Sequence, residues 1–540
     1  MNVLKKYETI QPTSLETIMT THNMKGYCAN VNGRLKELSA IVKGKNDIVF
    51  LDLHHDEAMR VYETSLRFLI LYAANLIDPR IEITFNYSIS RSIYMDVTLQ
   101  SISLTSFHET LLKTLEEIIH QDIPIRRIQM PLDEAKQYYD THFLNHKTHL
   151  FKYRQESYVN AYQIETYINY LYGYMVPSSR YIKDYELFIY KEGLMLQYPR
   201  AEYDAKIPPF KDEQVYKNTL KKVAKWSEII EGDTIDKVNV FAQSTYDAVS
   251  FIQMSESKHS AMLYELAEDI SSKYDQLKLI GIAGPSSSGK TTFARRLQIE
   301  LQARGLHPVA ISIDDYYLHP DFVPKNDDGS PDLEHIESLD LKQFNEDLLS
   351  LTQGKTVTLP HFDFKTKTRN QGKTLTLSPN EVILIEGIHA LNQRLTKTIN
   401  RSFKYFVYIA PQTQLHIDKH APIRVSDMRL LRRIVRDAVY RDTPAEKTLD
   451  MWASVRQGEF RWIYDHQQHA DYTFNSELAY ELAVLKKHAI HRLNTIDTMS
   501  PHFMKANYLL KFLKYFDDIK DELVPNHSLI REFIGGSVFE

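Results

Sequence analysis

The sequence predicts an α/β protein whose C-terminal half folds as a doubly wound parallel sheet, and three observations predict it. Short apolar runs, LKLIGIA from Leu277, then PVAISI, EVILIEG and KYFVYIA, alternate with helical segments. A strand covered by helices on both faces is apolar throughout, so this rhythm is that of a parallel sheet. The first run leads into GPSSSGKT at 284–291, a glycine-rich turn, and then into a helix from Lys290. The residues before 275 lack the rhythm and mix strand and helix patterns, an α+β signal.

Taken in order, residues 1–55 set short apolar runs (YCANVNG, NDIVFLDL) between turn residues, as a small α/β domain does. Asp56 opens a helix, with Met59, Tyr62, Leu66, Leu69, Ile70 and Ala73 at helical spacing. Up to residue 212, the stretches IEITFNYSI, YMDVTLQSI and ELFIYKEGLMLQYP read as strands of an α+β domain. Residues 213–275 are polar and helical, a connector; 276–480 carry the parallel sheet; 481–540 form a helical tail that ends in turns.

Composition narrows the function classes. Lys+Arg 65 against Asp+Glu 70 gives a net charge of -5, so no whole-protein electrostatic footprint for nucleic acid exists. Cys28 is the only cysteine, which rules out a disulfide within the chain and argues against a cysteine-based zinc site. The opening MNVLKKYETIQPTSLETIM lacks a signal-peptide core and no apolar run is long enough to span a membrane, so a cytoplasmic location is expected.

The chemistry gathers around one motif. Gly284, Pro285, Ser286, Ser287, Ser288, Gly289, Lys290 and Thr291 match G-x-x-x-x-G-K-[ST] in full, with Thr292 following in the helix. Such a loop turns its backbone N–H groups onto phosphate oxygens, and the helix adds its positive end. Lys290 is placed for the β/γ-phosphates and the Thr291 hydroxyl for Mg²⁺. Asp314 and Asp315 follow PVAISI and emerge at the carboxyl edge of the sheet, where ligands bind; either is a candidate to take a substrate proton. Glu386 ends another strand, as a metal-associated carboxylate does. RVSDMRLLRRIVRDAVYR at 424–441 puts Arg429, Arg432, Arg433 and Arg436 on one helix, either a solvated face or a lid over the phosphates.

In its second half the chain resembles the uridine/cytidine kinase family of P-loop nucleoside kinases, through GPSSSGKT, SIDDYY, DLEHIESLD, LPHFDF, ILIEGI and RLLRRIVRD in that order. The resemblance implies Asp314 as general base for a nucleoside 5′-hydroxyl, Tyr317 beside it, and Glu386 near Mg²⁺. It also implies Arg433 on the ribose, with Arg436 and Arg441 as lid residues on the phosphates. Departures fall in the nucleoside pocket: Glu334 stands for the family's ribose-holding aspartate. Phe362 and Lys367 stand for its base-reading Tyr and His, and Thr443 and Met451 for an Arg and a Gln.

The first half resembles the front of threonyl-tRNA synthetases: residues 1–55 their ubiquitin-like TGS domain, through CANVNGRLKEL, and 56–212 their editing domain. The editing family's two-histidine motif falls on Tyr62 to Leu66, and its Cys/His motif on Leu171 to Met175, with no ligand at either. The arrangement is similar to a bacterial family of longer nucleoside kinases with such a front end, which the closing IREFIGG also resembles.

The expectation is therefore an ATP-dependent kinase acting on a nucleoside, uridine foremost, with Mg²⁺ and no zinc. It would have no membrane partner, would form a homo-oligomer, and would offer its front end to RNA or tRNA. Two other readings stand beside it: a P-loop kinase for another small hydroxyl acceptor, and an RNA-binding regulator with an ATP switch.

Overall fold

The computed structural model describes residues 3–151, 156–212, 214–325, 329, 331–363, 366, 368–412 and 415–539. The parallel sheet is present where the apolar runs place it. Its strands lie in the order His307–Ser312, Glu381–Glu386, Leu279–Ala283, Lys404–Ala410, Tyr472–Asn475, every neighbouring pair parallel. Leu279–Ala283 is buried at all five positions and Lys404–Ala410 at all seven, which explains their unbroken apolarity. The earliest strand lies at the centre, and the chain winds first to one side and then to the other. The carboxyl end of Leu279–Ala283 is thus the switch point at which such sheets bind ligands. The sequence reading found four of these strands; YTFN at 472–475 has too few apolar residues to register as one.

The first 51 residues form a four-stranded antiparallel sheet, ordered Val3–Ser14, Ile41–Leu51, Cys28–Val31, Arg34–Glu37. A helix, Leu15–Thr21, is capped by Ser14, whose Oγ accepts from the Thr17 N–H. Next comes Asp56–Ile77, a 22-residue helix buried around nearly its whole girth. It packs among two further sheets. One holds Glu186–Tyr190, Gly193–Gln197, Ser92–Thr98 and Glu82–Ile89 in that order, and the other Arg126–Pro131, Tyr158–Ile164 and Tyr167–Asn169.

The connector and the tail are not appendages. Phe251, Leu266 and Ile270 of the helix Thr245–Ser271, and Leu482, Leu509, Leu529 and Phe533 of the tail, are buried in the same core as Ile280 and Val407 of the sheet. Among the described residues no helix is long and apolar enough to cross a membrane.

Candidate active site

The loop after Ala283 is bent by contacts only glycine permits. A Cβ on Gly284 would lie 2.0 Å from the Ile409 carbonyl oxygen, so this position needs a residue without one. Gly289 adopts φ +86° and caps the helix Lys290–Gln302, whose first amides face the loop. Lys290 Nζ curls back to donate to the carbonyls of Gly284 and Pro285 (3.0 and 3.1 Å). Burial pushes its ammonium pKa down, opposed by Glu386 and Glu532. The Thr291 hydroxyl donates to Glu386 Oε1 at 3.4 Å, and burial raises the Glu386 carboxyl despite Lys290. These hard oxygen donors, beside a phosphate loop, fit Mg²⁺.

Asp314 and Asp315 share the 3₁₀ turn Ile313–Tyr316 at the end of His307–Ser312, and the structure parts them. Asp315 is engaged by the hairpin Val357–Asp363/Thr368–Leu375: it pairs with His361 Nδ1 at 2.9 Å and accepts from the Phe362 N–H at 3.3 Å. The Asp314 carboxyl is pushed up by burial and then by the Asp315 charge, with Lys290 acting against both. The Tyr317 ring lies 5.8 Å from that of Phe362, and its hydroxyl donates to the Leu333 carbonyl. Burial raises the carboxyl of Glu334; Glu459 adds to this, and Arg433 and Lys290 oppose it. Lys367 lies outside the described residues.

The arginine helix, Val425–Tyr440, is not a solvated face. Arg429 and Arg432 are 1% and 0% exposed, and both serve the loop. Arg429 Nε donates to the Ser286 carbonyl (3.0 Å) while its guanidinium pairs with Glu459. Arg432 donates to the Ser287 carbonyl (3.3 Å) and pairs with Glu481. The next residue, Arg433, donates to Ser286 Oγ at 2.7 Å. Arg433, Arg436 and Arg441 all lean on one buried carboxylate, Asp437, at 3.2, 2.8 and 3.5 Å. Arg433 and Arg436 thus bring positive charge to the loop beside Lys290, with Arg441 next to them on the same carboxylate.

The structure therefore brings Lys290, Thr291, Glu386, Asp314, Tyr317, Phe362, Glu334, Arg433, Arg436 and Arg441 to one sheet edge. Two carboxylates there escaped the sequence reading. Glu459 accepts the Ser286 N–H at 3.0 Å, and Glu532 accepts the Thr292 N–H at 3.0 Å. The second lies in the closing IREFIGG, whose sequence alone gives it no role at the loop.

The editing-motif positions Tyr62, Leu66, Leu171 and Met175 are 0–1% exposed, apolar fillings of the front core. Elsewhere, His146, Asp418 and His420 gather ligand-type atoms, but Lys147 Nζ already sits 2.8 Å from Asp418 and supplies the positive charge there. A cavity of about 620 Å³ lies where the front meets the arginine helix, lined among others by Arg60, Glu63, Tyr172, Arg424 and Asp427.

Comparison with known proteins places the match in the same half. The Phosphoribulokinase / Uridine kinase family matches residues 279–481. A uridine kinase of Macrococcus caseolyticus is 31% identical over 195 residues, 36% of this chain and 85% of its own length. One from Halobacterium salinarum is 28% identical over 193 residues (36% and 77%), and one from Lactobacillus johnsonii 30% over 194 (36% and 83%).

Proposed function

We propose, for a chain that belongs to the phosphoribulokinase / uridine kinase family, that it transfers the terminal phosphoryl group of ATP to the 5′-hydroxyl of a nucleoside, uridine foremost. The observation that carries this reading is the parting of the two aspartates. Asp315 is tied to His361, whereas Asp314 is solvent-accessible, lies within reach of the Lys290 charge and, among the described residues, makes no side-chain hydrogen bond to the hairpin. A carboxylate so placed takes the hydroxyl proton as the new O–P bond forms and the bond to the leaving ADP breaks. Lys290, Arg436 and Arg441 hold the phosphate charge, Arg433 and Glu334 the ribose, and Tyr317 and Phe362 flank the base. Mg²⁺, held near Thr291 and Glu386, supplies further charge neutralisation when bound.

The same reading takes residues 1–55 as a TGS-like domain, 56–212 as an editing-like domain, 213–275 as a connector, 276–480 as the kinase and 481–540 as its tail. In the sequence Lys367 stands where the family has its base-reading histidine, and a lysine offers only hydrogen-bond donors, which suits the uracil O4 and leaves the cytosine amine unpaired. That mismatch is worth roughly tenfold or more in preference.

The test incubates purified protein with Mg·ATP and uridine, cytidine, inosine or guanosine, reading ADP release and product mass. Uridine should yield its monophosphate, with cytidine used at least about tenfold less well. Turnover only with a non-nucleoside alcohol, or ATP hydrolysis driven by tRNA without a small-molecule product, overturns the proposal.

A further inference from the structure

Two carboxylates sit on the phosphate loop's amides, and they are held very differently. Glu459 is 3% exposed and paired with Arg429 and, at 2.7 Å, with Arg456; these cations outweigh its burial and hold its carboxyl below the ordinary value. Its bond to the Ser286 N–H is therefore part of a neutralised, permanent frame. Glu532 comes from the last helix, Arg531–Ile534, and reaches the Thr292 N–H from outside. Among the described residues no cation lies within ion-pair distance of it. Its charge nonetheless acts on the site, drawing the Lys290 ammonium up and pushing the Glu386 carboxyl up.

Thr292 belongs to the first turn of the helix after the loop, where N–H groups have no partner within the helix. Those are the amides that cradle nucleotide phosphates in a loop of this kind. A carboxylate oxygen on this amide stands where a phosphate oxygen would stand, and like charges exclude each other.

The backbone that carries Glu532 is firmly seated. Leu529 packs on Gly289 so closely that a Cβ there would meet its Cδ2 at 2.3 Å. Ile530 and Phe533 are fully buried, and the Arg432 guanidinium lies 5.0 Å from the Phe533 ring. Arg531 donates to the carbonyls of Asp521, Val524 and Gly535. The main chain is pinned; the Glu532 side chain, half-buried and unpaired by any cation, is the part that can swing away.

We propose that Glu532 is a built-in phosphate mimic: in the nucleotide-free protein its carboxylate occupies the Thr292 amide, and the phosphates of ATP must displace it in order to bind. The C-terminal segment thereby sets nucleotide affinity, and the closing IREFIGG gains a role: apolar residues to anchor and one acid to compete. The proposal rests on the phosphate-site reading of the loop, and its test needs no acceptor and no turnover.

The experiment measures, by titration calorimetry on the full chain, binding of Mg·ATP and of inorganic tripolyphosphate to wild type, Glu532→Gln and Glu532→Ala. Both variants should bind both probes roughly tenfold more tightly, since the charge-assisted bond the ligand must break is gone. Thermal unfolding of the same samples serves as the control for folding, and Glu532→Gln keeps the side-chain volume should the alanine variant unfold. Unchanged or weaker affinity in a folded variant overturns the proposal, because a mere helix cap or a phosphate-holding residue gives those results. Should none of the three proteins bind ATP, the phosphate-site reading falls and this proposal falls with it.

Discussion

The two ends of the arginine helix Val425–Tyr440 set arginines around buried carboxylates in the same way, yet they face different neighbours. At its start, Arg424 pairs with Glu63, and Asp427 accepts from both Arg60 (2.8 and 2.7 Å) and Lys505 (2.7 Å). Glu63 and Arg60 reach across from the front of the chain and Lys505 from the tail, so that the pairs formed here join separate parts of the molecule. Burial works against the Glu63 carboxylate, yet Arg424, Arg67 and Arg200 outweigh it and hold its pKa at about 2. At the far end Arg433, Arg436 and Arg441 share Asp437, and Arg433 also faces Glu334 beside the phosphate loop. Pairs buried between parts of the chain glue them together, while the arginines that open on the loop stand where a ligand would meet them. The same residue type in the same helix does both jobs, and only the partners tell them apart.

The sharpest way to break this contrast is to remove the chemistry at the loop end. Lys290→Ala and Asp314→Asn should each lower kcat on the order of a thousandfold. Asp314→Asn should leave ATP affinity nearly intact, because the proposed base meets the acceptor rather than the nucleotide. Steady-state kinetics alongside calorimetric ATP binding separate the two, and full activity in Asp314→Asn removes it as the base.

At the other end the effect should fall on stability instead. Asp427→Asn leaves Arg60 and Lys505 buried against a neutral group, a loss of about 3–5 kcal/mol. The midpoint of chemical denaturation should drop accordingly while kcat per folded molecule stays close to wild type. A large fall in kcat without loss of stability would mean that the two ends are not separate in role.

The smallest effect concerns pH. A proton-accepting carboxylate works only when ionised, and Asp314 has its pKa raised by burial and by Asp315. The rate should therefore fall on acidification through a pH above the usual aspartate value of about 4. Asp315→Asn removes the neighbouring negative charge, which makes ionisation of Asp314 easier and shifts that acid limb to lower pH. A limb that does not move in the pH profile of kcat/KM would assign it to another group.

The loop itself was legible because its chemistry is contiguous. GPSSSGKT needs only a strand before it and a helix after it, and both are written in the adjacent apolar pattern. Asp314 and Glu386 were legible for a related reason: each ends an apolar run, and the carboxyl ends of such strands face the ligand crevice. In the front, IEITFNYSI, YMDVTLQSI and ELFIYKEGLMLQYP were legible as strands from local alternation, whereas the sheet of Arg126–Pro131, Tyr158–Ile164 and Tyr167–Asn169 was not.

What the sequence by itself determined was thus the parallel sheet, the phosphate loop and the carboxylates that strand ends deliver. Which charged side chain serves which purpose only the tertiary structure decided. Glu459 meets Ser286 across 173 residues of chain and Glu532 meets Thr292 across 240, separations at which no spacing rule operates. Arg429 and Arg433 are equally plausible lid residues on paper, yet one is sealed to Glu459 and the other reaches the loop hydroxyl. Asp314 and Asp315 are neighbours, and a hairpin almost fifty residues downstream is what takes one of them away. The physical reason is common to all three cases: a charge acquires its role from the charges and amides folded against it, and those arrive from distant parts of the chain.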